Sequence, residues 1–320
     1  MLENFLWTEK YRPRNIDDTI LPAELKATFH QFIEQQNVPN LILAGSAGVG
    51  KTTVARALLE EIGSDYIVIN GSMNGNIDTL RNEILNFASA VSFTGKRKYV
   101  ILDEADYLNA NSTQPALRNF MEEFSKNCGF ILTCNLKNRI IPPLHSRCTI
   151  VDFKISKKDS AKLAAQFMKR VENILTIEKI MFDRQVVASV IQKFYPDWRR
   201  VLNELQRYAA SGSIDTGILT NFQDLPIHEI YKLCKNKEFD ALRKWSTDNS
   251  DIEQNEVFRV LYESCDKYIN KKSIPLLILF IAEYQYKGSF VANPELNLLA
   301  FFVEIMREIE YLWLALCLDK

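Results

Sequence analysis

The sequence predicts an α/β protein, with a parallel-sheet domain in the first half and two all-helical domains after it. Three observations predict this. The apolar runs Leu41–Ala44, Tyr66–Ile69, Tyr99–Leu102, Phe130–Leu132 and Thr149–Val151 are continuous rather than alternating, as expected for strands buried on both faces of a parallel sheet. Helical patterns lie between them, which is the signature of a doubly wound sheet. A glycine-rich turn, Gly45 to Thr52, joins the first run to an amphipathic helix.

That helix runs from Thr52 to Ile62, with Val54, Ala55, Leu58, Leu59 and Ile62 on one face and Gly63 placed to end it. The strand signal ends near Phe153. Ser156 to Ser211 reads as helices, and Gly212 to Asp215 through Asp224 to Pro226 reads as a junction. The expected domains are therefore 1–153, 154–225 and 226–320. In the last, Leu299, Phe302, Met306, Ile309, Trp313 and Leu316 recur at steps of three and four, with Leu298, Phe301, Ile305 and Leu312 on the other side. Core packing and a subunit seam both explain such a stripe, and its breadth demands burial on more than one side.

Composition limits the partners. The 320 residues exceed one typical core, and 47% hydrophobic with 25% charged residues is ordinary for a globular chain. Thirty-nine Lys and Arg nearly cancel 40 Asp and Glu, so no global field draws the chain to nucleic acid or membrane. Any such contact must come from a local face, or from one repeated across copies. Met1 to Arg14 has no apolar leader core, and the longest apolar run, Ile274 to Ala282, is too short to span a bilayer. The six cysteines form no C-x-x-C pair and read as reduced, mostly buried thiols. A cytoplasmic location is expected.

Gly45-Ser46-Ala47-Gly48-Val49-Gly50-Lys51-Thr52 fits G-x-x-x-x-G-K-[ST], after a strand and before a helix as that motif requires. Its glycines let backbone N–H groups turn toward phosphates, and the helix N-terminus adds a favourable dipole. Lys51 is placed to reach the β- and γ-phosphates of ATP, the Thr52 hydroxyl to ligate magnesium, and Thr53 to sit beside the nucleotide. Tyr99-Val-Ile-Leu-Asp-Glu104 supplies the second half. A buried strand delivers Asp103 to its carboxyl end to hold magnesium through water, and Glu104 to polarise the attacking water. Asn135 ends the next run, either as a turn residue or as an amide that helps hold that water. Taken alone, Arg147 in Ser146-Arg-Cys148 is a surface arginine, and Arg199 and Arg200 belong to a solvated helix start.

These pieces in this order resemble the AAA+ ATPases, and more narrowly clamp-loader subunits of the replication factor C type. The most specific match is Trp7-Thr-Glu-Lys-Tyr-Arg-Pro13, similar to that group's N-terminal W-x-E-K-Y-R-P box. Further matches are Asp103-Glu-Ala-Asp106, Gln114-x-Ala-Leu-Arg-x-x-Met-Glu122, Ser146-Arg-Cys148 and Pro196-Asp-Trp-Arg199, so the likeness covers residues 5 to 215. The short chain most resembles the ATPase subunit of T-even-type bacteriophage clamp loaders. The resemblance implies an AAA+ P-loop domain, a helical lid and a helical collar. It makes Asn135 sensor one, Arg199 sensor two, and Arg147 an arginine finger that completes a neighbouring subunit's site. Tyr11, Arg12, Pro13 and Ile20 resemble the segment that packs on adenine.

The same resemblance implies assembly with other copies and one distinct accessory subunit, in a ring-like pentamer that holds a sliding clamp and primer–template DNA. DNA contacts would come from Asn76, Arg81, Asn111, Ser112 and Thr113, and clamp contacts from Phe87, Val91 and Phe93. One departure bears on the first set: Asn74-Gly-Asn-Ile77 lacks the basic residue the group often carries there. The zinc-binding insertion of bacterial relatives is missing too. Alternatives are another AAA+ DNA-remodelling or helicase-type ATPase, a small-molecule kinase, or a non-catalytic scaffold. A helicase of the Asp-Glu-Ala-Asp type needs a second strand-alternating domain after Phe153, and the sequence has none. A kinase leaves the N-terminal box and Ser-Arg-Cys without a use, and intact Lys51, Thr52, Asp103 and Glu104 oppose a scaffold.

Overall fold

The structure, a computed structural model, describes residues 5–72, 77–92, 95–210, 212–215, 227–249, 252, 254–288 and 290–312. By contacts the chain divides into two compact units, Met1–Leu219 and Thr220–Lys320.

The first unit is built on five parallel strands: β1 (Leu41–Ala44), β2 (Tyr66–Asn70), β3 (Lys98–Asp103), β4 (Cys128–Cys134) and β5 (Thr149–Asp152). Their order across the sheet is β2-β3-β4-β1-β5. The continuous apolar runs have the predicted meaning, because alternate residues serve two cores. Ile42, Val100, Leu102, Phe130 and Leu132 face one side, with Leu80 and Ile84 of α4 (Ile77–Ser89) and Leu117 and Phe120 of α5 (Thr113–Glu123). Leu41, Leu43, Tyr99, Ile101 and Ile131 face the other, with Phe29 of α2 (Ala23–Glu34) and Val54, Leu58 and Leu59 of α3 (Lys51–Ile62). Burying five to ten such side chains at about 1.5–3 kcal/mol each is what holds a layer to the sheet. Left-handed Gly63 ends α3 as expected, its N–H bonding back to Leu59.

Two short helices, α1 (Trp7–Lys10) and α6 (Pro142–His145), flank these layers. Three helices follow the sheet: α7 (Lys157–Ile177), α8 (Arg184–Phe194) and α9 (Trp198–Ala209). Each starts on a side-chain cap, Ser156, Asp183 and Asp197 accepting from the amides of Asp159, Gln185 and Arg200. The structure corrects the all-helical expectation in one place. Met181–Phe182 (β6) pairs in parallel with Ser213–Ile214 (β7), inside the stretch read as a junction. Two-residue strands are too short to leave a periodic signal.

The second unit contains α10 (Ile227–Asn236), α11 (Phe239–Asp248), α12 (Gln254–Tyr268), α13 (Ile274–Gly288) and α14 (Pro294–Glu308). Both sides of the apolar stripe are buried in one core: Leu299, Phe302 and Met306 on one side, Leu298, Phe301 and Ile305 on the other. The stripe does not continue as helix, however. It stops at Glu308, Ile309 is extended, and Tyr311 bridges antiparallel to Ile269. Trp313 and Leu316 lie outside the described residues. Among the described residues no helix is long and apolar enough to cross a membrane.

Candidate nucleotide site

Register places the carboxyl ends of three strands side by side. Ala44 pairs with Cys134, and Leu102 with Leu132, so Gly45, Asp103 and Asn135 leave the sheet together. The loop after β1 can turn there only because of its glycines. A Cβ on Gly45 would stand 2.8 Å from that of Phe153. Gly48 and Gly50 have φ of +73° and +95°, which side chains disfavour. Ser46 and Ala47 form the exposed crest, and Val49 is buried against the sheet.

Lys51 opens α3 and is 8% exposed. Its ammonium donates to the carbonyls of Gly45 (2.8 Å) and Ser46 (2.7 Å) and to Asn135 Oδ1 (2.9 Å). Burial pushes its pKa below the ordinary lysine value. Beside it, Asp103 Oδ1 accepts from the hydroxyls of Thr52 (2.6 Å) and Thr133 (2.5 Å). Glu104 follows in the left-handed region at φ 56°, a conformation uncommon outside glycine, and its amide donates to Thr133 Oγ1 (3.1 Å). Among the described residues its carboxylate accepts no hydrogen bond. Asp106, 6% exposed, accepts from the amides of Asn135 (3.2 Å) and Leu136 (3.1 Å) and so fixes the turn that presents Asn135.

A cleft continues from this polar end. Tyr11, Arg12, Pro13 and Ile20 line it with Gly48, Val49, Gly50 and Thr53, and α7 and α9 close it with Phe167, Arg170, Trp198 and Arg199. Arg12 Nη1 lies 3.4 Å from Thr53 Oγ1, linking the N-terminal segment to α3. The same segment is tied to the helices after the sheet. The Tyr11 hydroxyl and Lys10 ammonium both reach Glu178, and the Trp7 amide donates to Gln206 (2.9 Å). The Arg199 side chain makes no hydrogen bond or ion pair among the described residues, and its charge acts on Lys51. A cation at the start of α3 at one end, an oxygen pair at Thr52 and Asp103, and an aromatic–aliphatic wall at the other fit a magnesium–nucleotide in donor set and polarity.

Arg147 stands apart from its own cleft. It bonds Glu122 through two guanidinium nitrogens and the Pro143 carbonyl at 2.9 Å, and this arginine holds the Glu122 carboxyl below the usual range. Among the expected DNA contacts, Arg81, Asn111 and Ser112 are exposed, while Asn76 lies outside the described residues. Thr113 is 2% exposed and its amide donates to the Asn109 carbonyl. The amides of Asn111 and Ser112 are likewise taken, by the Asn109 side chain. Phe87 packs against the sheet core with Lys98 over its ring at 4.6 Å, and Val91 is exposed. Phe93 lies outside the described residues.

Sequence reasoning missed Thr133, Asp106, Asp197 and Arg170. Asp197 was legible as a helix cap. Nothing in the sequence separated Arg170 from a solvated helical arginine.

Residues 41–156 match the family model described as ATPase family associated with various cellular activities (AAA). Residues 159–220 match that of the sliding-clamp-loader large subunit, AAA+ ATPase lid domain. The sliding-clamp-loader large subunit of Enterobacteria phage T4 is 35% identical over 95% of this chain and 96% of its own. The replication factor C small subunit of Sulfolobus acidocaldarius is 30% identical over 95% and 97%. Among solved structures, the Thermotoga maritima RuvB Holliday junction branch migration motor superposes with a TM-score of 0.53 at 15% identity, covering 78% of this chain and 91% of that one. At that identity the likeness shows the fold alone.

Proposed function

The chain belongs to the AAA+ ATPases and, within them, to the sliding-clamp-loader large-subunit family, and from that premise we propose how it works: as one ATPase subunit of an assembly that opens a DNA polymerase sliding clamp and places it on primer–template DNA. The single observation that carries this reading is the division of charge around the nucleotide cleft. At its polar end Lys51 is bonded to Asn135 and Thr52 to Asp103, and Arg199 lines the cleft beside them, whereas Arg147 is paired with Glu122 and bonds none of these. A site built this way is completed from outside, by another copy.

Bound ATP supplies a γ-phosphoryl group whose transfer to water releases the binding energy held across subunits. Lys51 holds the β- and γ-phosphate oxygens by exchanging neutral carbonyl partners for charged phosphate ones, which bind an ammonium more strongly. Thr52 and Asp103 are the residues that would hold a magnesium ion, which would supply positive charge to the phosphates. Glu104, whose carboxylate accepts no hydrogen bond among the described residues, orients the attacking water and takes its proton, and Asn135 steadies that water. Arg199 reads the phosphates from the lid in cis. Arg147 stabilises the charge that develops in the neighbour's site, a contribution of roughly 10³–10⁵ in rate where such fingers act. The N-terminal segment and Ile20 take the adenine. Nucleotide thus fastens one subunit to the next, and hydrolysis lets go.

The partners follow from this reading: a sliding clamp, primer–template DNA, further copies, and one accessory subunit in a pentamer, acting in the cytoplasm of an infected bacterium. Arg81, Asn111 and Ser112 remain DNA-facing candidates. The test is the ATPase rate of the purified assembly, alone and with clamp, with primer–template DNA, and with both. Stimulation that requires both together supports the reading. A rate indifferent to both would overturn it in favour of another AAA+ remodelling ATPase.

A further inference from the structure

The wall of the cleft that faces α7 contains a guanidinium with an unusual pair of partners. Arg170 is half-buried, and Nη1 donates to the main-chain carbonyl of Asp18 (2.5 Å) while Nη2 donates to that of Tyr11 (2.6 Å). These carbonyls bracket the segment that contributes Arg12 and Pro13 to the cleft, and Thr19 and Ile20 follow directly. On its other side the segment is held to α3, where the Ile16 amide donates to Glu61 (2.8 Å). The main chain from Tyr11 to Ile20 is therefore clamped between two helices, and Arg170 is the clamp on the α7 side.

The chemistry suits an arginine and no other side chain. Two carbonyls seven residues apart in sequence are bonded at once by the two arms of a rigid fork, whereas lysine offers one point charge on a flexible stem. Adenine and guanine have the same apolar faces and differ in the donors and acceptors of one edge. A site that reads that edge with main-chain groups discriminates only as well as the main chain is fixed, because a misplaced group leaves a polar atom unpaired in both complexes.

We propose that Arg170 is a specificity-determining positioning residue: by fixing the Tyr11–Ile20 main chain it sets the edge against which the purine base is read, and so the preference for ATP over GTP. This rests on the reading of the cleft as the nucleotide-base site. The hydrogen bonds of the Arg170 guanidinium go to the Asp18 and Tyr11 carbonyls and not to Lys51, Asp103 or Asn135, so it acts on the base through the segment it holds.

The experiment is competition binding of ATP and GTP against a fluorescent nucleotide, on full-length wild type, Arg170→Lys and Arg170→Ala. Thermal melts accompany it, together with photolabelling of wild type by 8-azido-ATP. Arg170→Lys keeps the charge and folds even if Arg170→Ala does not. The expected result is a melt close to wild type for Arg170→Lys and a fall of about tenfold in the ATP-over-GTP ratio, the worth of one charge-assisted bond. ATP affinity carries that fall, and GTP affinity stays close to the wild-type value. An unchanged ratio, with the photolabel on Tyr11–Ile20 in wild type, overturns the role of Arg170 alone. A photolabel elsewhere overturns the base-site reading and this inference with it.

Discussion

Lys51 and Asn135, 84 positions apart in sequence, are joined by a 2.9 Å hydrogen bond between ammonium and amide oxygen. That bond spans the ends of two neighbouring strands and ties the lysine at the start of α3 to the residue that follows β4. Asn135 is presented by Asp106, and Lys51 is gripped by the carbonyls of Gly45 and Ser46. The polar end of the site is thus one connected set of hydrogen bonds anchored on the sheet.

Binding and turnover separate within that set. Lys51→Ala removes the charge that the phosphates need and lowers ATP affinity by 100-fold or more, as expected for about 2–5 kcal/mol lost from a desolvated charge pair. Glu104→Gln keeps shape and hydrogen bonding, leaves affinity near wild type, and lowers turnover by roughly 10²–10⁴. Calorimetry and single-turnover kinetics on both variants check this, and equal loss of binding in the two would contradict the assignment of roles.

The Arg147–Glu122 pair makes the finger's role testable. Arg147→Ala leaves the nucleotide affinity of the subunit unchanged and lowers ATPase of the assembly by roughly 10³ or more. Glu122→Gln leaves Arg147 in place and retains turnover, since an exposed pair contributes about 0–1 kcal/mol. Steady-state rates of the assembled variants decide; wild-type turnover in the Arg147 variant would remove the finger.

Gly48 is constrained twice. Its φ is +73°, and a Cβ would fall 1.7 Å from the Asp197 carboxylate that caps α9. Gly48→Ala is expected to cost about 1–3 kcal/mol of stability through overpacking and to weaken nucleotide binding. Adding Asp197→Ala relieves the contact but not the backbone strain, so the double variant recovers part of the loss. Denaturant melts of the two single variants and the double show the coupling, and strict additivity would refute the contact.

Much of this was legible in the sequence, and the reasons are physical. Leu41–Ala44 and Phe130–Leu132 announced buried parallel strands because both faces are covered, and the P-loop follows from backbone chemistry that only glycine permits. Asp103 and Asn135 were readable because a parallel sheet delivers strand ends to one edge. Arg170 was not, since its partners are main-chain carbonyls more than 150 positions away, which no local pattern encodes. The Met181–Phe182 and Ser213–Ile214 pair escaped because two-residue strands leave no periodic signal. The stripe beyond Glu308 misled because apolar spacing continues where the backbone turns extended to pair with Ile269.

The second unit has its own core of packed aromatics, including Phe258, Phe301 and Phe302. Deleting residues 226–320 therefore leaves the first unit with its sheet and cleft complete, and the shortened chain is expected to bind ATP as a monomer. Light scattering checks this; an oligomer at the size of the full assembly would show that the collar reading is wrong.

The most direct measurement of the central claim is transfer of a labelled clamp to primer–template DNA with blocked ends. With ATP, the account predicts clamp retained on DNA after the loader has left. With a non-hydrolysable analogue, it predicts clamp and loader held together on the DNA. Free clamp in both cases, from an assembly that hydrolyses ATP, would contradict it.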